Sequence, residues 1–152
     1  MTNNDILRRL RYTLDLSDTE MMSTFAAADL PATRTEISDW LKKDDDPALV
    51  ECSDTIMATF LNGLINRRRG RKEGPQPVPE SRLNNNIVFR KLKIALDLKA
   101  DAVLEILALA GFEMSRHEFS ALFRKPEHKH YRVCQDQVLR NFLQGLRIKL
   151  RG

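Results

Sequence analysis

The chain repeats itself. Phe60-Leu61-Asn62-Gly63-Leu64 returns further on as Phe142-Leu143-Gln144-Gly145-Leu146, and at that offset Asn3–Gly70 lies on Asn85–Gly152 without a gap. Identities run through the whole overlap, from Asn3, Asn4, Arg8 and Leu10 to Cys52, Asp54, Phe60 and Gly63. A duplication at this period predicts two similar folding units of about 70 residues in place of one larger core. A unit of that size buries a modest share of its surface, so the copies are expected to pack together or against a second chain.

Each copy reads as four helices, with no strand pattern. Asn4 is a candidate N-cap for a first helix with Ile6, Leu7, Leu10 and Leu14 on one stripe and Arg8, Arg9 and Arg11 off it. Asn86, then Val88, Phe89, Leu92 and Leu96, with Arg90, Lys91 and Lys93 outside, repeat the arrangement. A Leu-Asp-Leu joint (Leu14–Leu16, Leu96–Leu98) leads to the second helix, capped by Ser17 and Glu20 in the first copy; Lys99 makes a weaker start in the second unless Asp101 serves. Gly111 suits a left-handed residue after that helix, a conformation Asp29 tolerates less well. Thr33-Arg34-Thr35-Glu36 and Ser115-Arg116-His117-Glu118 are capping boxes that open the third helix. The fourth helix is predicted to start at Asp46-Pro47 and run to about Arg69, carrying Cys52 and Cys134 as small buried hydrophobes. Gly63 and Gly145 lie inside it, where glycine costs roughly 1 kcal/mol against alanine, which predicts a close helix contact in both copies.

The fold expected is therefore all-α, a tandem duplication of a four-helix unit: residues 1–69, a linker over 70–84, and residues 85–152. The linker is basic and Pro-rich, and its alternating prolines favour an extended spacer. Hydrophobic content of 42% excludes disorder as the main state. The N-terminus lacks a basic-then-apolar signal pattern and no stretch approaches the roughly 18 apolar residues of a membrane span, so a cytoplasmic protein is expected.

The net charge of +4 conceals a split: −6 over residues 1–66, +4 over 67–82 and +6 over 83–152. Either the two halves attract each other, or their counterparts in a dimer, or the basic half attracts a polyanion. Candidate nucleic-acid contacts are Arg67, Arg68, Arg69, Arg71 and Lys72 in the linker, Arg90, Lys91 and Lys93 on the first helix of the second copy, and Arg116, Arg124 and Lys125. The last three would place a helix-turn-helix on the second and third helices of that copy, although the turn Gly111–Ser115 is long for one and the first copy lacks the basic surface. Arg34, Glu36 and Asp54 recur as Arg116, Glu118 and Asp136; as structural positions they predict an Arg–Asp pair between helices three and four, with Glu completing the cap. His117, His128, His130 and Cys134 match no tetrahedral metal spacing, so no metal and no cofactor is expected. No G-x-S-x-G, phosphate-binding glycine loop or dinucleotide fingerprint occurs, so no catalytic residue is assigned and enzyme activity is not expected.

The Asn-Asn start with its basic amphipathic helix, the Leu-Asp-Leu joint, the S/T-R-x-E cap and the F-L-x-G-L helix, all in duplicate, resemble the YehS-like bacterial family of unknown function. The resemblance implies a small bacterial cytoplasmic protein and carries over no active-site residues. The function expected is that of a non-enzymatic binding or regulatory module acting through protein contacts or self-association, with nucleic-acid binding as the alternative, no membrane partner, and no small molecule specified.

Overall fold

The computed structural model describes all of residues 1–152 and contains eight helices and no strand. In chain order these are α1 (Asn3–Thr13), α2 (Asp18–Ala26), α3 (Arg34–Leu41), α4 (Asp54–Arg69), α5 (Asn85–Ala95), α6 (Ala100–Leu109), α7 (Arg116–Leu122) and α8 (Asp136–Arg151). They form two compact units, Met1–Leu83 and Asn84–Gly152, of four helices each. No helix is long and apolar enough to cross a membrane.

Local chemistry accounts for most of the helix starts. The boxes Ser17–Glu20, Thr33–Glu36 and Ser115–Glu118 are all closed, each hydroxyl accepting a backbone N–H and each carboxylate returning to the cap. Lys99 begins α6 with no side-chain hydrogen bond; Asp101 does not substitute, because it pairs with Arg116. Both Leu-Asp-Leu joints turn through a left-handed aspartate, Asp15 and Asp97 each at φ 53°. Gly111 takes φ 76° after α6, and Asp29 takes φ 67° at the matching place, where Arg71 grips both of its carboxylate oxygens at 2.8 and 3.0 Å.

The first helix starts earlier than expected, which changes the role of the Asn-Asn pair. Thr2 caps α1 and Asn84 caps α5, whereas Asn4 and Asn86 lie buried within the first turn. Asn4 Nδ2 donates to the carbonyls of Trp40 and Val50 while its oxygen accepts the Cys52 N–H, at 2.9 to 3.0 Å. Asn86 does the same with Leu122, Arg132 and Cys134. The neighbouring Asn3 and Asn85 reach Asp54 and Asp136, and the carbonyls of Cys52 and Cys134. Four asparagines therefore sew the chain ahead of the last helix onto the first helix of its unit.

That chain is also where the largest correction falls. The last helix starts at Asp54 under a Ser53 cap, not at Asp46-Pro47, and spans 16 residues, as does α8. Residues 42–53 form a loop in which Asp46 Oδ1 accepts the Ala48 N–H. This aspartate closes a turn of its own in place of capping a helix. Cys52 and Cys134 accordingly precede the helices they were expected to sit on, each 1% exposed.

Each core closes on the last helix. In the first unit Phe25 packs on Phe60 and Trp40 at centroid distances of 5.3 and 5.4 Å. In the second, Phe89 packs on Phe142 at 4.6 Å and on Phe123 at 5.3 Å. Phe25 corresponds to Leu107 and Phe89 to Leu7, all four without exposed surface, so the copies exchange a phenylalanine and a leucine around a shared ring and keep the volume. Gly63 and Gly145 are the expected notches. A Cβ would stand 1.8 Å from the Thr24 carbonyl oxygen of α2 at Gly63, and 1.9 Å from that of Ile106 in α6 at Gly145.

Residues 70–83 stay with the first unit. Arg71 bonds the Ala27 carbonyl as well as Asp29, Gln76 approaches Asn66, and the Leu83 N–H donates to Asp54 at 2.9 Å. A stretch tethered at three places is more constrained than the extended spacer its prolines suggest.

Candidate functional site

Part of the expected polyanion surface is engaged in holding the fold. Arg67 donates to the Glu20 carbonyl and the Thr24 hydroxyl, closing the end of α4 on α2. Arg71 and Asn66 both donate to the Ala27 carbonyl at the C-terminus of α2. Arg68, Arg69 and Lys72 are exposed. In the second unit Lys91, expected on the outer face, is 8% exposed, and Lys93 is half-buried with its ammonium 5.8 Å from the Phe123 ring, leaving Arg90 as the exposed member of that trio. Arg116 pairs with Asp101 across α6 and α7, Arg124 faces His128 at 3.4 Å, and Lys125 is exposed. For a helix-turn-helix, residues 110–115 make a long connection, and the first arginine of the seven-residue α7 is held by α6.

The predicted arginine–aspartate pair between helices three and four does not form. Asp54 receives Asn3 and the Leu83 N–H, Asp136 receives Asn85, and Arg34 is exposed on α3. The hydrogen bond donated by the Asn85 side-chain amide holds the Asp136 carboxyl below its ordinary range. Glu36 and Glu118 complete caps as expected, and the Ser115 backbone N–H lowers the Glu118 pKa.

Nor do the thiols and histidines assemble a reactive centre. Burial pushes both cysteine thiols up to about 12, further raised by Asp54 for Cys52 and by Asp136 for Cys134, so both are held protonated. His128 Nδ1 accepts the His130 N–H at 3.0 Å, the role Asp46 plays in the first copy, which explains that histidine structurally. No three histidine, cysteine or carboxylate side chains converge as metal ligands.

What the two units do share at the surface is a cleft between the second helix and the start of the third. In the first unit it measures about 390 Å³ and is lined by Met22, Ser23, Ala26, Pro31, Ala32, Thr33 and Arg34. In the second it measures about 550 Å³ and is lined by Leu104, Ala108, Glu113, Met114, Ser115 and Glu118. Five positions correspond: Met22 with Leu104, Ala26 with Ala108, Pro31 with Glu113, Ala32 with Met114 and Thr33 with Ser115. The first cleft is mainly apolar, the second about half polar with Glu113 where the first has Pro31, and part of each rim consists of capping-box residues already bonded to backbone. Met22 and Leu104 fall on the apolar spacing of their helices, yet both are half-buried. The available signal was the self-alignment, which keeps Ala26/Ala108 and Arg34/Arg116 at positions that are exposed in both copies. A third cleft, about 430 Å³, lies in the first unit among Met1, Thr2, Asn3, Asn4, Asp44, Leu49, Glu51, Cys52 and Asp54.

Comparison with known proteins adds a family. Residues 3–70 and 85–152 each match the family described as protein of unknown function (DUF1456). The chain is 44% identical over 147 residues to the uncharacterized protein YehS of Escherichia coli K12, covering 96% of this chain and 94% of that protein. No solved structure matches the chain.

Proposed function

This chain belongs to the DUF1456 family of proteins of unknown function, and we propose that it is a non-enzymatic module that binds a protein partner through the cleft each repeat carries between its second and third helices. The observation that supports this reading is the recurrence of that cleft, with an exposed alanine beside a half-buried apolar side chain, at matching positions of both units. A small residue held at an exposed position leaves room for a docked side chain, and two such sites on one chain raise the binding of a partner that engages both.

The test is a comparison of the intact protein with the doubly blocked variant Ala26→Arg, Ala108→Arg. Both alanines are exposed on helices, where arginine is well tolerated. A partner that co-purifies with the wild type and is lost from the variant is the expected result. An identical set of recovered proteins would overturn the reading.

Polyanion binding is the second reading, favoured by the exposure of Arg68, Lys72, Arg90 and Lys125. Anisotropy of a labelled oligonucleotide titrated across salt concentrations addresses it. Affinity must fall steeply with salt if phosphates are neutralised, and absence of binding at low salt removes the reading.

A further inference from the structure

The loop before the last helix is built identically in the two units and charged oppositely. In the first, the Asp46 N–H bonds the Lys43 carbonyl, the Leu49 N–H the Asp46 carbonyl, and the Val50 N–H the Asp39 carbonyl. In the second, His128, Tyr131 and Arg132 make the same three bonds to Lys125, His128 and Ala121. Asp46 and His128 close the inner turn from their side chains, and Asn4 and Asn86 clamp the far end. Yet residues 42–51 carry Lys42 and Lys43 against Asp44, Asp45, Asp46 and Glu51, a net −2. The matching residues 124–133 carry Arg124, Lys125, Lys129 and Arg132 against Glu127, a net +3.

The turn itself does not call for that inversion, because it closes with an aspartate or a histidine alike. Asp45 and Glu51 are exposed in the first loop, where Asp44 is already paired with Arg8 at 2.9 Å, and Lys125, Lys129 and Arg132 are exposed in the second. Each loop also presents an apolar side chain from rigid backbone, Val50 at 47% exposure and Val133 at 62%. A fixed surface with opposite charge and an apolar centre on each face is what a complementary contact requires.

We propose that the acidic loop of one copy of this chain docks on the basic loop of a second copy, so that the protein self-associates as a closed pair with two such contacts. In a two-fold pair a surface that meets its complement on the partner is met in return, which makes both contacts equivalent. This uses a surface other than the cleft and does not depend on the cleft having a partner.

The experiment is sedimentation of the full chain in low and high salt, for the wild type and three charge-reversed forms, with folding checked by circular dichroism. Asp45→Lys with Glu51→Lys reverses the acidic loop, and Lys125→Glu with Lys129→Glu the basic one; Asp46 and His128, which close the turns, are left in place. The wild type is expected to sediment as a dimer whose dissociation constant rises at least tenfold between about 0.05 and 0.5 M salt, as screening shortens the reach of the charges. Either double reversal, folded, should sediment as a monomer. The chain carrying all four changes should recover the dimer, because both contacts are restored with their signs exchanged. A wild type that is monomeric at low salt, a dimer indifferent to the reversals, or a folded fourfold variant that stays monomeric overturns the proposal. So does loss of oligonucleotide binding in the Lys125, Lys129 variant of a protein that is otherwise monomeric. The variant Ala26→Arg, Ala108→Arg should leave the dimer intact, which separates failure of the cleft from failure of the loops.

Discussion

Replacing Gly63 by alanine sets two effects of known sign against each other. In an unobstructed helix interior the change stabilises by about 1 kcal/mol, because glycine orders more backbone on folding. At Gly63 the new methyl would stand 1.8 Å from the Thr24 carbonyl oxygen and 2.9 Å from its carbon. Unbonded carbon and oxygen approach to about 3.3 Å, so α2 and α4 would have to part by roughly 1.5 Å at their crossing. Overpacking of a core costs about 1–3 kcal/mol where side chains can give way, and here the obstacle is main chain, which places the cost at the upper end. After the propensity gain, a net loss of about 2 kcal/mol remains, or a melting temperature lower by about 8–16 °C for a unit of this size. Gly145→Ala should behave alike, since its methyl would stand 1.9 Å from the Ile106 oxygen. Thermal unfolding followed at 222 nm measures both. A Gly63→Ala protein as stable as the wild type, or more so, would show that the helices are not held at the separation described and would refute the reasoning.

Three further outcomes follow from the same structure. Asn86→Ala strands the carbonyls of Leu122 and Arg132 and the N–H of Cys134, and should lower stability by about 3 kcal/mol or more, read from urea unfolding. Lys99→Ser copies the cap of Ser17 onto the uncapped α6 and should raise stability by about 1 kcal/mol, measured the same way. Cys52 and Cys134 should resist a thiol reagent at pH 8 in the native protein and react in denaturant. Their thiols hold the proton to about 12 in the fold but give it up near 8.5 in the unfolded chain, so this stabilisation is complete below about pH 8.5 and is lost as pH rises toward 12. Thermal melts across that window test the sign.

The features legible in the sequence are those set by short-range pattern. Serine or threonine three residues ahead of Glu20, Glu36 or Glu118, and apolar stripes at helical spacing, made the helices and three of their starts legible. The interior glycines pointed to a close crossing, which Thr24 and Ile106 supply. What escaped depends on partners distant in the chain. Asn4 looks like a cap until Trp40, Val50 and Cys52 are seen around it, and Asp46-Pro47 looks like a helix start until the aspartate is seen closing its own turn. Lys91 reads as one more cation on a basic face, and its burial has no local signature. The cleft was hidden for a related reason: Met22 and Leu104 follow the core periodicity, and their half-burial is set by how the next helix is placed.

The traded rings bear on how the two halves of the gene can go on evolving. A recombinant joining the opening helix of one half to the remainder of the other would set Phe89 beside Phe25, or Leu7 beside Leu107, around the retained phenylalanine. One hybrid is too full and the other leaves a hollow, and either is less stable than its parents. The reciprocal swap therefore makes sequence exchange between the halves costly, whatever their surfaces carry.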